Sequence, residues 1–115
     1  MKNPGIKFEE FVRAELANIY GAAKRRKASG SVHGQGDVCA GPFEIECKDY
    51  PSKKTVTVTE TMWLKVTAAA RKEGRIPLVV NQTQQGKFVT MSWTFFTMLL
   101  HNAVEGEKAL EGQKT

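Results

Sequence analysis

Two hydrophobic periods run along this chain, and the change between them falls at Asp37. Ahead of it, Phe8, Phe11, Val12, Leu16, Ile19 and Tyr20 recur at the three- and four-residue spacings that gather side chains into one stripe on a helix. The spacing predicts a helix over 8–20, with Pro4 and Gly5 before it and Gly21 as its stop. Residues 22–28 are short and basic, and Ser29-Gly30-Ser31 and Gly34-Gln35-Gly36 supply turn chemistry on either side of Val32. From Asp37 the period is two. Val38-Cys39-Ala40 reads as a short strand and Gly41-Pro42 as a turn. Residues 43–49 then form a second strand, with Phe43, Ile45 and Cys47 on one face and Glu44, Glu46 and Lys48 on the other.

Pro51 ends that strand. Residues 55–59 fit either an extended run or the lead-in to a helix. A helix over 60–73 follows, with Met62, Trp63, Val66, Ala69 and Ala70 as its buried stripe and Gly74 as its stop. The nearly continuous apolar run over 76–81 predicts a strand covered on both faces. Gln84-Gln85-Gly86 turns into another strand over 87–91. A third helix over 93–104 is crowded with Phe95, Phe96, Met98, Leu99 and Leu100, and the polar, glycine-punctuated stretch after Glu105 is expected to fray. The predicted order is α-β-β-β-α-β-β-α: an α/β protein with a central mixed sheet flanked by helices. It forms a single domain over 1–104 with a polar tail over 105–115.

Size and composition bound this picture without redirecting it. A chain of 115 residues is one domain and is expected to be complete. It hides roughly two thirds of its unfolded surface, so its core needs no disulfide or metal staple. The start is polar and interrupted by Lys7, Glu9 and Glu10, unlike a secretory leader, and the longest apolar stretch, over 95–100, is too short to span a bilayer. Cys39 and Cys47 therefore read as reduced core thiols in a cytoplasmic compartment, and His33 and His101 alone offer no zinc spacing. Trp63 and Trp93, each in an apolar pattern, read as core residues.

Charge does redirect it. The net charge is +5 with pI ≈ 9.4, past the rough basicity threshold that marks a nucleic-acid-binding domain. Lys24-Arg25-Arg26-Lys27 is a solid basic block, joined by Lys53-Lys54 and by Arg71, Lys72 and Arg75. Acids gather at Glu9, Glu10 and Glu15, between Asp37 and Asp49, and in the tail. A basic envelope around an acidic centre suits a polyanion held against divalent cations.

The acidic centre has a specific geometry. Glu46 and Lys48 lie on one strand face about 7 Å apart. If the two strands pair through Gly41-Pro42, Asp37 arrives beside them. Two carboxylates and a lysine suit Mg²⁺-assisted phosphodiester hydrolysis, since Mg²⁺ prefers carboxylate, water and phosphate oxygens. The lysine would orient a water or offset transition-state charge, and the backbone carbonyl of Cys47 would be a further ligand. An alternating strand with a charged outer face is also the ordinary half-buried strand, so the pattern alone leaves a wet face open. On the first helix, Glu10 lies opposite the apolar stripe. Glu9 and Glu15 both flank it, and periodicity does not choose between them.

Gly36-Asp37-Val38 followed by Glu46-Cys47-Lys48 resembles the PD-(D/E)xK signature of the restriction-endonuclease-like nucleases, with Gly36 where that signature has proline. Over about residues 5–93 the chain is similar to the archaeal-type Holliday-junction resolvases. Gly5-Ile6-Lys7-Phe8-Glu9-Glu10-Phe11 matches their opening helix, whose early glutamate is a metal ligand. The basic and Ser/Gly segment over 24–31 and Glu73-Gly74-Arg75-Ile76-Pro77-Leu78-Val79-Val80 also match, while Val32-His33-Gly34-Gln35 lengthens the approach to Asp37.

The resemblance selects Glu9 over Glu15. It implies catalysis by Glu9, Asp37, Glu46 and Lys48. The metal, Mg²⁺ with Mn²⁺ able to substitute, would be held by Glu9, Asp37, Glu46 and the Cys47 carbonyl. DNA contacts would come from Lys24, Arg25, Arg26, Lys27, Ser31, Lys53 and Lys54. The expected substrate is branched double-stranded DNA, read by shape and not by base edges. A homodimer through the apolar third helix would present two active sites to a two-fold junction. The competing readings are a nuclease of the same fold acting on flaps, nicks or single strands, and a DNA-binding protein without turnover.

Overall fold

The computed structural model describes residues 4–25 and 37–113. Its elements are α1 (Pro4–Tyr20), β1 (Lys24–Arg25), β2 (Val38–Ala40), β3 (Phe43–Asp49), α2 (Glu60–Glu73), β4 (Ile76–Thr83), β5 (Gly86–Thr90) and α3 (Trp93–Gln113). The strands form one five-stranded sheet in the order β1-β2-β3-β4-β5. β3 and β4 run parallel, joined through α2, and the other neighbours are antiparallel.

The two faces of β3 divide the protein into layers. Phe43, Ile45 and Cys47 meet Phe8 and Val12 of α1 in the main core, with Val38 and Leu78 from the neighbouring strands. The opposite face lies under α2, which buries Val66, Ala69 and Ala70 against β3 and β4. α2 is bounded at both ends by its own sequence. The Thr59 hydroxyl accepts from the Met62 N–H at 3.1 Å, and Gly74 stops the helix at φ 66°, a left-handed conformation that costs glycine nothing. Gly41 turns β2 into β3 at φ 53°, and a Cβ there would stand 2.7 Å from the Tyr20 ring. That ring in turn meets Phe43 edge-on at 6.3 Å between centroids.

The element order agrees with the sequence pattern, but the first strand was hidden in it. Lys24 and Arg25 pair with Cys39 and Val38. Two charged residues at a sheet edge show no alternation, so only the exposed side of β2 makes them a strand. Residues 55–59 form no strand. α3 continues to Gln113, through the polar stretch that the pattern assigned to a tail, with Glu105 and Lys108 paired at 3.7 Å one turn apart. Trp93, read as a core residue, is 75% exposed, because among the described residues α3 packs extensively on no other element and leaves its first turn in solvent. Among the described residues no helix is long and apolar enough to cross a membrane.

Candidate active site

The β2–β3 hairpin brings Asp37 to Glu46 by register. Val38 faces Ile45, the Asp37 N–H donates to the Ile45 carbonyl at 2.8 Å, and Asp37 Oδ2 accepts from the Cys47 N–H at 2.8 Å. Asp37 is thus held at both its backbone and its carboxylate. The charged face of β3 is not a wet face. α2 covers it, leaving Glu44 at 0% and Glu46 at 2% exposure. Glu44 Oε1 lies 3.6 Å from Arg75 Nη1 at the far end of α2. Glu46 Oε1 lies 3.4 Å from Lys48 Nζ and 3.3 Å from Lys65 Nζ, whereas its Oε2 is buried without a hydrogen-bond partner.

α1 supplies the third carboxylate. Glu9 is buried, whereas Glu10 and Glu15 are exposed. Glu10 takes both of its oxygens to Arg13 Nε, at 2.9 and 3.0 Å, on the solvent side. Glu9 is therefore the acid of α1 that looks inward, the choice periodicity left open. Electrostatics puts the three carboxylates in one neighbourhood. Burial, then Asp37 and Glu46, pushes the Glu9 carboxyl above its ordinary range, with Arg25 and Lys48 opposing. Burial and then Glu46 push Asp37 up, opposed by the Cys47 N–H, Lys65 and Lys48. The Cys47 thiol is raised by burial first and then by Asp37, Glu9 and Glu46, which makes it an inert core thiol.

A raised carboxyl pKa fixes the sign of a pH effect. The folded protein binds that proton more tightly than the unfolded chain does, so the group favours folding below its ordinary value of 3.8 for Asp37. That contribution is lost as pH rises through the folded-state pKa, and above it the buried charge is a burden on the fold. Asp37→Asn, measured by thermal melting without divalent ions, should therefore raise Tm at pH 7. The gain should fade as pH falls below the ordinary carboxylate value. An Asn that lowers Tm at neutral pH would contradict the electrostatic picture.

Among the described residues no three carboxylate, histidine or cysteine side chains are drawn close enough to hold an ion as they stand. The donors themselves fit a hard divalent cation. They are carboxylates, two of them are raised by burial and then by mutual repulsion, and the Glu46 Oε2 lone pairs are unclaimed. A cation among them would relieve the repulsion and use the unpartnered oxygen.

Of the residues expected to grip DNA, Lys24 and Arg25 form the edge strand β1, with Arg25 Nε 3.7 Å from Glu10. Arg26, Lys27 and Ser31, with His33, lie outside the described residues. Lys53 and Lys54 are exposed in the loop after β3, and Lys53 Nζ sits 4.2 Å above the Tyr50 ring. β4 straps that loop in place: Asn81 Nδ2 donates to the Thr57 carbonyl at 3.1 Å, and Gln84 N–H to the Lys53 carbonyl at 2.9 Å. Lys65 escaped the sequence reading. A signal existed, because it stands three residues after Met62 and four before Ala69, a charge on the apolar side of α2.

The sequence matches no family model and no curated protein. Among solved structures, the chain is similar to Archaeoglobus fulgidus Hjc, a Holliday junction resolvase from an archaeal hyperthermophile. The TM-score is 0.63 at 19% sequence identity, over 77% of this chain and 73% of that one. The two share the element order and the mixed sheet with flanking helices. The chain therefore has the restriction-endonuclease-like fold that the resemblance around Asp37 and Glu46 implied.

Proposed function

We propose that a chain with this fold and this acidic centre is a Mg²⁺-dependent endonuclease that resolves four-way DNA junctions by phosphodiester hydrolysis. One observation carries the reading: Asp37, Glu46 and Glu9, from a strand hairpin and a separate helix, converge beside Lys48 inside a basic protein. Glu9, Asp37 and Glu46, with the Cys47 carbonyl, would hold Mg²⁺, or Mn²⁺ in its place. Bound there, the ion would polarise the phosphoryl group and acidify a water.

The chain's own groups would do the rest. Lys48, anchored on the strand that carries Glu46 and partly open to solvent, would orient the attacking water and offset charge on the phosphorus centre. The Cys47 N–H would keep the Asp37 carboxylate aimed. Lys24, Arg25, Arg26, Lys27, Ser31, Lys53 and Lys54 would grip phosphates, so recognition follows backbone shape. Work on DNA is in keeping with an intracellular protein whose Cys39 and Cys47 are free thiols.

α3 supports a homodimer. Trp93, Phe96, Leu100 and Val104 follow one another at helical spacing and are 75%, 41%, 48% and 46% exposed. Val89 on β5 is 60% exposed. An apolar surface of this kind is covered in a stable protein, and a second copy would cover it while supplying the second active site. Phe96→Glu with Leu100→Glu should give a monomer by sedimentation and single nicks in place of paired cuts.

The deciding assay compares a synthetic four-way junction with linear duplex and flap DNA in Mg²⁺. Symmetrical cuts confined to the junction are the expected result. Equal cutting of all three would assign a less selective nuclease, and tight binding without cutting would assign a DNA-binding protein.

A further inference from the structure

We propose that Lys65 of α2 is a second catalytic cation, placed to meet a nonbridging oxygen of the phosphodiester being cut; the inference rests on the nuclease reading above. Its Nζ lies 3.3 Å from Glu46 Oε1, and Lys48 Nζ lies 3.4 Å from that same oxygen. Two ammonium groups thus converge on one oxygen of one buried carboxylate. Neutralising Glu46 requires only one of them. The second adds repulsion between like charges and immobilises a four-carbon side chain. The Lys65 head is 43% exposed, so solvent screens much of its attraction to Glu46. Stability alone therefore gives little reason for Lys65 to be there.

Position gives a better one. Lys65 is exposed on α2 next to the buried Val66, and its ammonium reaches down to Glu46 on the sheet. Both ammonium groups act on Asp37 as well as on Glu46, so they stand beside the same pair of carboxylates while rising from different elements. Lys48 belongs to the strand beneath the site, and Lys65 belongs to the helix above it. A phosphodiester entering between them would meet cations on both sides. When Glu46 turns its oxygens to a divalent ion, the Lys65 ammonium loses its partner and a phosphate oxygen can replace it. Charge delivered there would stabilise the extra negative charge of the transition state.

The test uses the full chain, with Lys65→Ala and Lys65→Arg beside the wild type. Single-turnover junction cleavage should fall about 10²-fold in Lys65→Ala, with partial recovery in Lys65→Arg. Two readouts do not depend on cleavage. Removing a cation that competes for Glu46 should raise the calorimetric affinity for Ca²⁺ in DNA-free protein. The salt dependence of junction binding in Ca²⁺ should lose about one phosphate contact. A Lys65→Ala protein with wild-type cleavage overturns the proposal while the nuclease reading survives. Slow cleavage with an unchanged salt slope also overturns it, leaving Lys65 as a support for Glu46. A wild-type protein that cuts no DNA at all sinks the nuclease reading and this proposal together.

Discussion

Asparagine in place of Asp37 should abolish junction cleavage, by more than about 10³-fold, while junction binding stays within about twofold. The first figure exceeds the 10²–10³ that loss of a single transition-state donor costs, because a ligand charge is removed from the centre of the site. The substitution is nearly silent in structure. The amide oxygen can still accept the Cys47 N–H that Asp37 Oδ2 accepts at 2.8 Å, and the Asp37 backbone bond to Ile45 is untouched. What disappears is the negative charge that repels Glu46 and Glu9 and would bind the cation. Asp37 is 5% exposed and is not one of the cations expected to grip phosphates, so affinity for the junction should change little. The pair of measurements is single-turnover cleavage in Mg²⁺ and junction binding in Ca²⁺. Normal cleavage by the Asn variant would place the active site elsewhere.

Ile45→Ala should destabilise the protein by about 2–5 kcal/mol in urea unfolding, the range for truncating a fully buried aliphatic side chain. Ile45 is completely buried in the cluster formed by Phe8, Val12, Val38, Phe43, Cys47 and Leu78. Its carbonyl also receives the Asp37 N–H, and the next residue is Glu46. The cavity would therefore open under the hairpin that aligns the site, so cleavage should weaken well below the melting transition. A loss under about 1 kcal/mol would mean that the core between α1 and β3 repacks around the gap.

These two positions were visible in the sequence for different reasons. Ile45 stood out because alternation with Phe43 and Cys47 marks an inward face, a property of strand geometry that needs no partner. Asp37 and Glu46 stood out because a two-residue turn between short strands constrains which residues can meet. The capped helix α2 and the run over 76–81 were equally legible, since Thr59, Gly74 and the apolar β4 residues act within a turn or a strand of one another. β1 was not legible, because two basic residues become a strand only when Val38 and Cys39 offer them an open edge. Lys65 was passed over for a similar reason. Its charge was noticeable in α2, but no spacing connects it to a carboxylate 19 residues earlier.

The chain's own pattern settled where the three helices and the strands β2 to β5 begin, which face of β3 is apolar, and that an acidic hairpin sits among basic segments. Those properties depend on neighbours a few residues apart. Packing alone decided that Glu9, and not Glu15, turns inward, that α2 covers the charged face of β3, and that two lysines share Glu46. It also left Trp93 in solvent, where its apolar pattern had pointed to the core. Each of these depends on how a helix is rotated and docked on the sheet. That is a balance of burial and charge over residues distant in sequence, and no local period encodes it.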